Sequence, residues 1–325
     1  MPEPVESELE LRGTTYRLAV LGGSELAPLL PLFRDAFGGR EFDLDVLRRK
    51  YSCEHGGLAG FAYVAFAESG EAAGSVGLLP WPARYGAWVE TAGQLVDVAT
   101  ATAHRGRGLF VALADKAREL CEAAGVGFLF GFPNADAYPI WINKLGFEHV
   151  DDLLEYRLPV RTLWAERLAR RTGALARIHE GYVRRASRTY APKEPVLENS
   201  LLGEGFAGIE RNRAFHAYKA SFDGARVLDL DGGRVWLKVR NGLFVGDLEA
   251  ASPEDLDRSA RALVRLSRRL GIHQIVFQAS KDTRFTRFCS HRFQTSSTLP
   301  VIYRSLDSKI PKEKLRFTFG DLDNF

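Results

Sequence analysis

The stretch Val96–Phe110, VDVATATAHRGRGLF, decides the fold because it joins a strand, a glycine-rich loop and the start of a helix. Val98 and Thr100 have the β-branched side chains that are frequent in strands. Gly106 and Gly108 can take positive φ angles without a Cβ penalty, so the backbone amides of the loop can point inwards together. The stretch therefore predicts a strand that ends in an anion-binding loop.

The segment after the loop predicts a helix, because apolar residues recur in it at helical spacing: Leu109, Leu113, Ala117 and Leu120. The first amides of a helix have no intrahelical partners, and the helix dipole adds about half a positive charge there. Arg105 and Arg107 add full charges that can pair with phosphate oxygens. We therefore expect a phosphate group at the beginning of this helix.

A second informative stretch is Pro133–Phe147, PNADAYPIWINKLGF, which follows the short apolar run Val126–Phe130. The apolar run predicts a buried strand, and Gly125 before it is placed like a helix-ending glycine. Together the two stretches resemble the GNAT superfamily of N-acetyltransferases, over about residues 14–158. The residues that carry this resemblance are Arg105, Gly108, Asn134, Ala137, Leu145, Gly146 and Phe147.

The resemblance implies an α/β (α+β) fold, with a mixed, mostly antiparallel sheet flanked by helices. It also implies acetyl-CoA or another acyl-CoA as co-substrate, and direct attack of an amine on the thioester without a covalent enzyme intermediate. The chain departs from the family at Phe110, where glycine or alanine is usual, and at Trp141, where many members carry a tyrosine general acid. One extra residue also separates Trp141 from Gly146.

The residues implied in acyl-CoA binding lie in the strand, in the loop and before the second helix. The backbone of Val98, Ala99 and Thr100 is implied to bind the pantetheine arm like an added strand. An N–H near Val98 is implied to stabilise the negative charge that develops on the thioester oxygen. Asn134 is implied to hold the sheet open or to bind cofactor amides. The loop residues implied in pyrophosphate binding are Arg105, Gly106, Arg107, Gly108, Leu109 and Phe110.

Proton transfer needs a base for the amine and an acid for the leaving thiolate. Four side chains near the implied site are candidates for the base: Asp97, Asp136, Glu90 and His104. We select Asp97 because it neighbours the implied thioester position. Tyr138 is the candidate for the acid, since Trp141 cannot donate a catalytic proton; Trp141 is expected in the core or in the wall of the acyl pocket.

The composition is that of a globular protein whose 325 residues suggest two domains. The formal net charge of +3 is small, and we expect no nucleic acid partner. Cys53, Cys121 and Cys289 are few and far apart, which favours reduced thiols and a cytoplasmic location, and no Cys/His pair has metal-ligand spacing. The acidic start MPEPVESELE does not resemble a signal peptide, and no apolar run is long enough for a membrane span.

Residues 159–200 form a basic stretch that we interpret as one or two amphipathic helices linking two domains. Its apolar residues recur at roughly helical spacing: Leu163, Trp164, Leu168, Leu175 and Ile178. Either it is a solvated helix packed on the protein, or it presents a basic surface to a nucleotide or a membrane. Its arginines are Arg161, Arg167, Arg170, Arg171, Arg177, Arg184, Arg185 and Arg188.

The second half of the chain repeats the pattern of the first half. The same separation links Gly125 with Phe147 and Gly271 with Phe293, and in both halves a strand and a helix lie between. The segment 249–255, EAASPED, stands where the RGRG loop is expected, and its acids would repel a pyrophosphate. We predict a GNAT domain over 1–158, a linker over 159–200 and a GNAT-like unit without the phosphate loop over 201–325.

The acceptor is a small-molecule amine whose identity the sequence leaves open. One hypothesis is a nucleotide-linked amino sugar, and another is an amino acid, a peptide or an antibiotic amine. A third is a non-catalytic acyl-CoA-binding or scaffold protein, motivated by Trp141. The oligomeric state is open, and a homodimer is compatible with the sequence. Residues that could suit a base and a diphosphate are Trp81, Tyr85, Trp88, Phe215, Arg211 and Arg213.

Overall fold

The structure, a computed structural model, describes residues 7–162, 169 and 172–325 of the chain. It divides the chain into two compact units. The first unit comprises Met1–Val150 and Pro300–Glu313, and the second comprises Asp151–Leu299 and Lys314–Phe325. These units differ from the predicted contiguous segments 1–158, 159–200 and 201–325, because each unit contains pieces from both ends of the sequence.

The described elements of the first half of the chain are strands with four helices among them. Short 3-10 turns lie at Gly23–Leu26 and Thr102–His104. In chain order the elements are β1 (Ser7–Leu11), β2 (Thr14–Leu21), α1 (Leu29–Ala36), α2 (Leu44–Lys50), β3 (Glu54–His55), β4 (Leu58–Ala59), β5 (Phe61–Phe66), β6 (Ala72–Tyr85), β7 (Trp88–Thr100), α3 (Leu109–Ala123), β8 (Phe128–Gly131), α4 (Tyr138–Leu145) and β9 (Glu148–Pro159).

The described elements of the second half follow a similar alternation. Further 3-10 turns lie at Arg188–Tyr190, Lys312–Lys314 and Phe319–Asp321. In chain order the elements are α5 (Gly173–Ser187), α6 (Ser200–Gly203), β10 (Gly208–Ile209), α7 (Arg213–Asp223), β11 (Arg226–Leu230), β12 (Gly233–Val239), β13 (Leu243–Glu249), α8 (Pro253–Leu270), β14 (Gln274–Ser280), α9 (Arg284–Ser290) and β15 (Thr295–Ser305).

The sheet of the first unit has the strand order β1-β2-β5-β6-β7-β8-β15. All neighbours pair antiparallel except β7 and β8, which are parallel and are connected by α3. The apolar face of α3 is buried, with Leu109, Leu113 and Cys121 in one core cluster with residues of β5 and β6. The predicted strand–loop–helix unit and the mixed, mostly antiparallel sheet are thereby confirmed.

The sheet of the second unit repeats this plan with the strand order β9-β14-β13-β12-β11. β13 and β14 are its parallel pair, and α8 connects them as α3 connects β7 and β8. Gly271 ends α8 in the left-handed region with φ +67°, and Gly125 after α3 has φ +74°. The internal repeat is therefore a repeat of structure, and the second unit has the same strand plan as the first.

In each unit, the strand that lies next to the parallel pair in the sheet comes from the other repeat of the sequence. In the first unit β8 pairs with the end of β15, with Phe130 opposite Tyr303. In the second unit β14 pairs with β9, with Phe277 opposite Tyr156. The sequence pattern predicts that these segments are strands, but alternation and apolar content do not identify the partner strand. This exchange explains why the unit boundaries are not contiguous.

The basic stretch forms the helix α5, whose N-cap Thr172 accepts a hydrogen bond from the Leu175 amide. Its buried residues are Val183, Ala186 and Ser187, whereas Ile178, expected on the apolar face, is 68% exposed. The buried face of α5 is therefore formed by residues other than the apolar ones that the spacing predicted. Residues 1–6 and the residues Leu163, Trp164, Arg167, Leu168, Arg170 and Arg171 lie outside the described residues.

Candidate active site

An open sheet edge begins in the middle of β7. β7 pairs with β8 from Ala92 opposite Phe128 to Leu95 opposite Gly131. Beyond Leu95, no strand of the described part of the chain pairs with this side of β7. The segment 96–100 therefore keeps β6 on one side and presents backbone groups on the other, where an extended ligand could add like a strand.

The direction of the amides at this edge follows from one hydrogen bond. The Ala101 N–H donates to the carbonyl oxygen of Ala73 across 2.9 Å, which is the β6 side. Backbone groups alternate along a strand, so the N–H groups of Val98 and Thr100 point to the side from which β8 has diverged. Two of the three residues implied in pantetheine binding thus have amides on the open edge.

A β-bulge at Asp97 interrupts β7 just before this edge. Ser75 lies opposite Ala99 and Gly77 opposite Val96, so two residues of β7 face one residue of β6. Asp97 has φ +48°, in the left-handed region, and its carbonyl oxygen accepts a hydrogen bond of 3.1 Å from the Ser75 hydroxyl. The bulge bends the strand where the implied thioester position lies.

The Asp97 side chain contacts the end of α2. Its Oδ1 lies 2.7 Å from the Lys50 ammonium, and its Oδ2 accepts a hydrogen bond of 3.0 Å from the Tyr51 hydroxyl. The side chains of Lys50 and Asp97 are 13% and 14% exposed, so this ion pair is largely shielded from water. Sequence reasoning missed Lys50 and Tyr51, because no motif connects them with a residue so distant in sequence.

The loop after β7 has the conformation that its glycines predict. Gly106 and Gly108 have φ +74° and +88°, and Gly108 is the N-cap of α3. Arg105 is exposed, and its Nε and Nη2 lie 3.3 and 3.4 Å from the carbonyl oxygens of Thr100 and Ala36. The loop therefore brings the N-terminus of a fifteen-residue helix and a guanidinium group together.

Two further side chains fix the loop to the rest of the unit. The half-buried Arg107 donates from Nη1 to Oγ1 of Thr14 across 2.6 Å. The Asp35 carboxylate accepts hydrogen bonds from the Thr102 amide at 2.6 Å and the Thr102 hydroxyl at 3.1 Å. The backbone hydrogen bond from Thr102 lowers the pKa of Asp35, so this carboxylate stays charged in its contact with the loop.

Asn134 and Tyr138 lie at the start of α4. Oδ1 of Asn134 accepts a hydrogen bond of 2.9 Å from the Ala137 amide, so the asparagine organises the first turn of the helix. The Tyr138 hydroxyl lies 3.1 Å from Nδ1 of His149. Tyr138 is half-buried, and its ring also contacts the core cluster of the first unit.

Trp141, at the usual tyrosine position of the family, is a core residue, as predicted. It is 3% exposed and lies between the rings of Phe110 and Phe147, with centroid separations of 5.0 and 4.8 Å. Phe110, the unusual residue of the loop, is therefore explained by packing against an equally unusual tryptophan. Tyr138 precedes Trp141 by three residues and lies on the same side of α4.

The other candidate bases have different surroundings. Glu90 accepts hydrogen bonds from the Ser308 hydroxyl and, at 3.0 Å, from the Lys309 amide, so it fixes the segment that follows β15. His104 lies in the turn after β7, and its Nδ1 is 3.0 Å from the hydroxyl of Tyr16 on β2. Asp136 is exposed before α4. Of the four candidates, Asp97 alone lies in the bulge beside the open edge.

The corresponding loop of the second unit is built differently. Ser252 is the N-cap of α8 and accepts a hydrogen bond from the Asp255 amide at 3.2 Å. Pro253 and two acids, Glu254 and Asp255, occupy the first turn. The helix start is thus capped by its own side chain and carries negative charge, in agreement with the prediction that this unit lacks the phosphate loop.

Two residues suggested for nucleotide recognition are not available for it. Arg211 has a side chain that is 0% exposed, and it pairs with Asp247 and with Asp321, the latter at 2.8 Å. Phe215 is buried with its ring against Trp236. Arg211 is a structural ion-pair residue because burial of a cation requires such partners, so the suggested role in diphosphate binding is wrong.

The cysteines and the acidic residues indicate neither disulfides nor a metal centre among the described residues. Cys53, Cys121 and Cys289 are buried, and none of them forms a disulfide with another described residue. Burial raises the pKa of Cys121 and of Cys289 to about 12, so both remain thiols. In the described part of the chain, no group of three His, Cys, Asp or Glu residues could hold a metal ion. None of the described helices has the length and apolar character that a membrane crossing requires.

Comparison with known proteins agrees with this geometry. Residues 17–150 match the family described as acetyltransferase (GNAT) domain. No curated protein matches the chain. Residues 17–150 thus form a GNAT acetyltransferase domain, and the protein is an N-acyltransferase of the class that uses an acyl-CoA donor.

Solved structures share the fold over most of the chain. A GCN5-related N-acetyltransferase from Kribbella flavida has a TM-score of 0.60 at 14% identity, covering 90% of this chain and 72% of that one. A conserved protein of unknown function from Enterococcus faecalis V583, described as a probable N-acyltransferase, has a TM-score of 0.61 at 13% identity. The match covers 90% of this chain and 73% of that one. A putative acetyltransferase from Pyrococcus horikoshii has a TM-score of 0.55 at 15% identity. The match covers 97% of this chain and 96% of that one. At these identities the likeness concerns the fold.

Proposed function

We propose that this protein transfers an acetyl group from acetyl-CoA to the primary amine of a small molecule, by direct attack of the amine on the thioester. The observation that carries the proposal is the continuity of the open edge of β7 with the glycine loop. Val98 and Thr100 offer outward amides, and Gly106 and Gly108 follow at the N-terminus of α3. An extended chain that ends in a pyrophosphate fits this sequence of groups.

The loop residues supply charge for the pyrophosphate. Arg105 is exposed and held by two backbone carbonyls, so its orientation is fixed before a ligand binds. The first amides of α3 and the helix dipole add to the positive potential. Arg107 contributes its charge from a half-buried position beside Thr14. Gly108, with φ +88° and no atom within 4 Å of its ideal Cβ position, leaves open space in front of the helix start.

Asp97 and Tyr138 are the groups that we assign to proton transfer. Asp97 lies in the bulge, on the strand that carries the open edge, and accepts hydrogen bonds from Lys50 and Tyr51. In the proposal its carboxylate receives the proton of the attacking amine. Tyr138 lies one turn before the buried Trp141 on α4, and its hydroxyl protonates the leaving thiolate. His149 orients this hydroxyl through the contact with its Nδ1.

The acceptor stays a small-molecule amine without further definition. Support for a nucleotide-linked amino sugar is weaker than the sequence suggested, because Arg211 and Phe215 are buried among protein groups. Trp88, by contrast, is 60% exposed, and the Lys309 ammonium lies 5.6 Å from its ring centroid. Because Arg211 and Phe215 do not favour a nucleotide, amino acids, peptides and antibiotic amines belong in the same screen as amino sugars.

Titration calorimetry with acetyl-CoA tests the donor site. We expect one molecule bound per chain, and no detectable heat with Gly108→Glu, which places a carboxylate in front of α3. Gly70→Glu is a matched control, because Gly70 has φ +91° and is equally open, but lies in the turn between β5 and β6. Equal loss of binding in both variants, or no binding by the natural chain, would contradict the proposal.

A thiol-release assay tests the transfer step. Acetyl-CoA is incubated with amino sugars, nucleotide-linked amino sugars, polyamines, amino acids and aminoglycosides. We expect release with at least one amine class, and the reaction should be absent with Gly108→Glu. Tight binding of acetyl-CoA without release for any amine would instead favour an acyl-CoA-binding protein without catalysis.

A further inference from the structure

A cavity in the second unit collects arginines that the acyl transfer does not use. Its volume is about 560 Å³, within the range of sites that hold small organic ligands. Arg184 and Arg188 line it from the end of α5 and the turn that follows, and Arg213 and Arg226 line it from α7 and β11. The basic stretch of the sequence thus contributes half of a four-arginine lining.

The described side chains that line this cavity carry positive charge only. Among the described residues that line the cavity, none is acidic. Arg184, Arg188 and Arg213 are exposed and form no ion pair with any described residue. Burial, and secondly the charge of Arg184, lower the pKa of Arg226, while Glu180 acts in the opposite direction. Arginines that line one cavity without an acidic lining residue are stabilised by a bound anion.

Most of the remaining wall is apolar and built from small or rigid side chains. Pro192 and Pro195 come from the segment after α5, and Ala217 and Ala220 come from α7. Leu228 of β11 belongs to the same wall. Such a surface has little to offer an inorganic ion but contacts the apolar or planar body of an organic molecule.

His216 adds an uncharged ring to the wall. It is 6% exposed, and burial lowers its pKa to about 4, so the ring is neutral near pH 7. Nε2 lies 2.8 Å from the Leu197 carbonyl oxygen and 3.2 Å from the Leu197 amide nitrogen, whereas Nδ1 is buried without a hydrogen-bond partner among the described residues. The charge of the cavity at pH 7 therefore comes from arginines alone, three of which are exposed.

We propose that this cavity binds a small organic anion with phosphate groups on a planar or apolar body, for which a nucleoside triphosphate is the simplest representative. The guanidinium groups of Arg184, Arg188, Arg213 and Arg226 bind the phosphate oxygens, since guanidinium forks match that geometry. The body of the ligand lies against the prolines and alanines. The site uses residues of the second unit only and does not depend on the proposed acyl transfer.

Calorimetry on the full chain carrying Gly108→Glu tests the site, because that variant excludes binding of nucleotides at the acyl-CoA loop. The probes are ATP, GTP, CTP and UTP, each alone, with adenosine and inorganic pyrophosphate for comparison. We expect at least one nucleotide to bind with a stoichiometry of one and about tenfold more tightly than pyrophosphate, with no detectable heat for adenosine. Absence of binding by all four nucleotides, or equal affinity for pyrophosphate, overturns the proposal.

The chain offers a matched pair of variants. Arg184 and Arg185 are adjacent, exposed and in the last turn of α5, but only Arg184 lines the cavity. We expect Arg184→Glu to weaken nucleotide binding by about tenfold or more, and Arg185→Glu to change it by less than about twofold. Similar losses in both variants would indicate a general effect of surface charge and would overturn the proposal.

Arg213→Glu gives an independent readout with little risk to folding. Arg213 is the first residue of α7, where an acidic side chain is favoured by the helix dipole. We expect the same loss of nucleotide affinity as with Arg184→Glu and an unchanged thermal unfolding midpoint. If single-stranded RNA or phosphatidylserine vesicles bind more tightly than any nucleotide, the arginines form an extended docking surface and the cavity proposal is wrong.

Discussion

The Tyr51 hydroxyl donates a hydrogen bond of 3.0 Å to Oδ2 of Asp97, and it reaches this carboxylate by passing over Gly77. An ideal Cβ on Gly77 would lie 2.0 Å from the Tyr51 oxygen. Asp97 itself has φ +48° in the bulge of β7, opposite the strand that contains Gly77. The glycine, the buried tyrosine and the bulged carboxylate therefore form one interdependent arrangement.

Gly77→Ala tests this arrangement directly. The added methyl displaces Tyr51 from Asp97, so we expect the free energy of unfolding to fall by about 1–3 kcal/mol, as for overpacking of a core. Gly131→Ala is the control, because Gly131 is also in a strand but its nearest neighbours are 3.6 Å from an ideal Cβ. Urea denaturation measures both. Equal destabilisation by the two variants would show that the Tyr51 contact is unimportant.

Asp97→Asn tests the proposed base. Asparagine keeps the size of the side chain and can still accept a hydrogen bond from Tyr51, but it cannot take a proton from the amine. We expect kcat/KM to fall by about 10²–10⁴-fold with an unchanged dissociation constant for acetyl-CoA. Lys50→Met removes the ion pair and retains the carboxylate, so it should keep most of the activity. If Lys50→Met is as inactive as Asp97→Asn, the ion pair is what matters, and Asp97 is a positioning residue.

Tyr138→Phe tests the proposed acid, and Trp141→Phe is its counterpart on the same helix face. We expect Tyr138→Phe to lower kcat by about 10²-fold while stability and acetyl-CoA affinity are retained. Trp141→Phe should instead lower stability by about 1–3 kcal/mol, because it leaves a cavity between Phe110 and Phe147, with little effect on kcat. Steady-state kinetics and thermal unfolding on both variants distinguish the roles. An active Tyr138→Phe enzyme would exclude this residue as the acid.

His216 predicts a pH dependence of stability in the second unit. Burial is the largest cause that lowers its pKa from 6.5 to about 4, with Arg211 and Lys219 acting in the same direction and Leu197 and Asp247 against them. Below pH 6.5 the unfolded chain binds a proton that the folded chain does not, so stability falls as the pH decreases from 6.5 to 4. The expected loss is about 3 kcal/mol over that range.

His216→Gln provides the comparison for this titration, since glutamine is polar and does not ionise. The free energy of unfolding of the natural chain and of the variant is measured by denaturant between about pH 7.5 and 4.5. We expect the free energy of unfolding of the natural chain to fall relative to that of the variant as the pH decreases. A constant difference across the range would mean that His216 titrates alike in the folded and unfolded chains.

Arg211→Met tests the assignment of Arg211 to the interior. The substitution leaves the Asp247 and Asp321 carboxylates buried without their cation, so we expect a loss of about 3–5 kcal/mol in the free energy of unfolding. Arg213→Met, two residues further on and exposed, should change stability by less than about 0.5 kcal/mol. Chemical denaturation checks both. A small effect at Arg211 would contradict the buried ion-pair description.

Local sequence determined the features of the site that could be predicted. Gly106 and Gly108 take positive φ because only glycine adopts this loop conformation at low cost, and that preference is visible in the sequence. Gly271 ends α8 for the same reason. The amphipathic spacing of α3 likewise predicts its buried face. Such signals act over a few residues, and they recovered the strand, the loop, the helix and the repeat.

Contacts between distant parts of the chain were not predictable in the same way. Nothing in the sequence around Lys50 indicates that its ammonium meets Asp97, because the contact depends on how α2 packs on the sheet. Arg211 resembles a surface arginine until its partners Asp247 and Asp321 are known. The exchange of β9 and β15 was missed because strand propensity is local, whereas the choice of partner strand depends on the whole fold.

The exchange of β15 also has a consequence for biosynthesis. The first unit needs Ile302–Ser305 as the partner of β8, and Glu90 holds the segment that follows. During translation, the first unit cannot complete its sheet until residues 302–305 have left the ribosome. A nascent chain that stops after residue 158 exposes the unpaired edge of β8, and such an edge is a template for pairing with another chain.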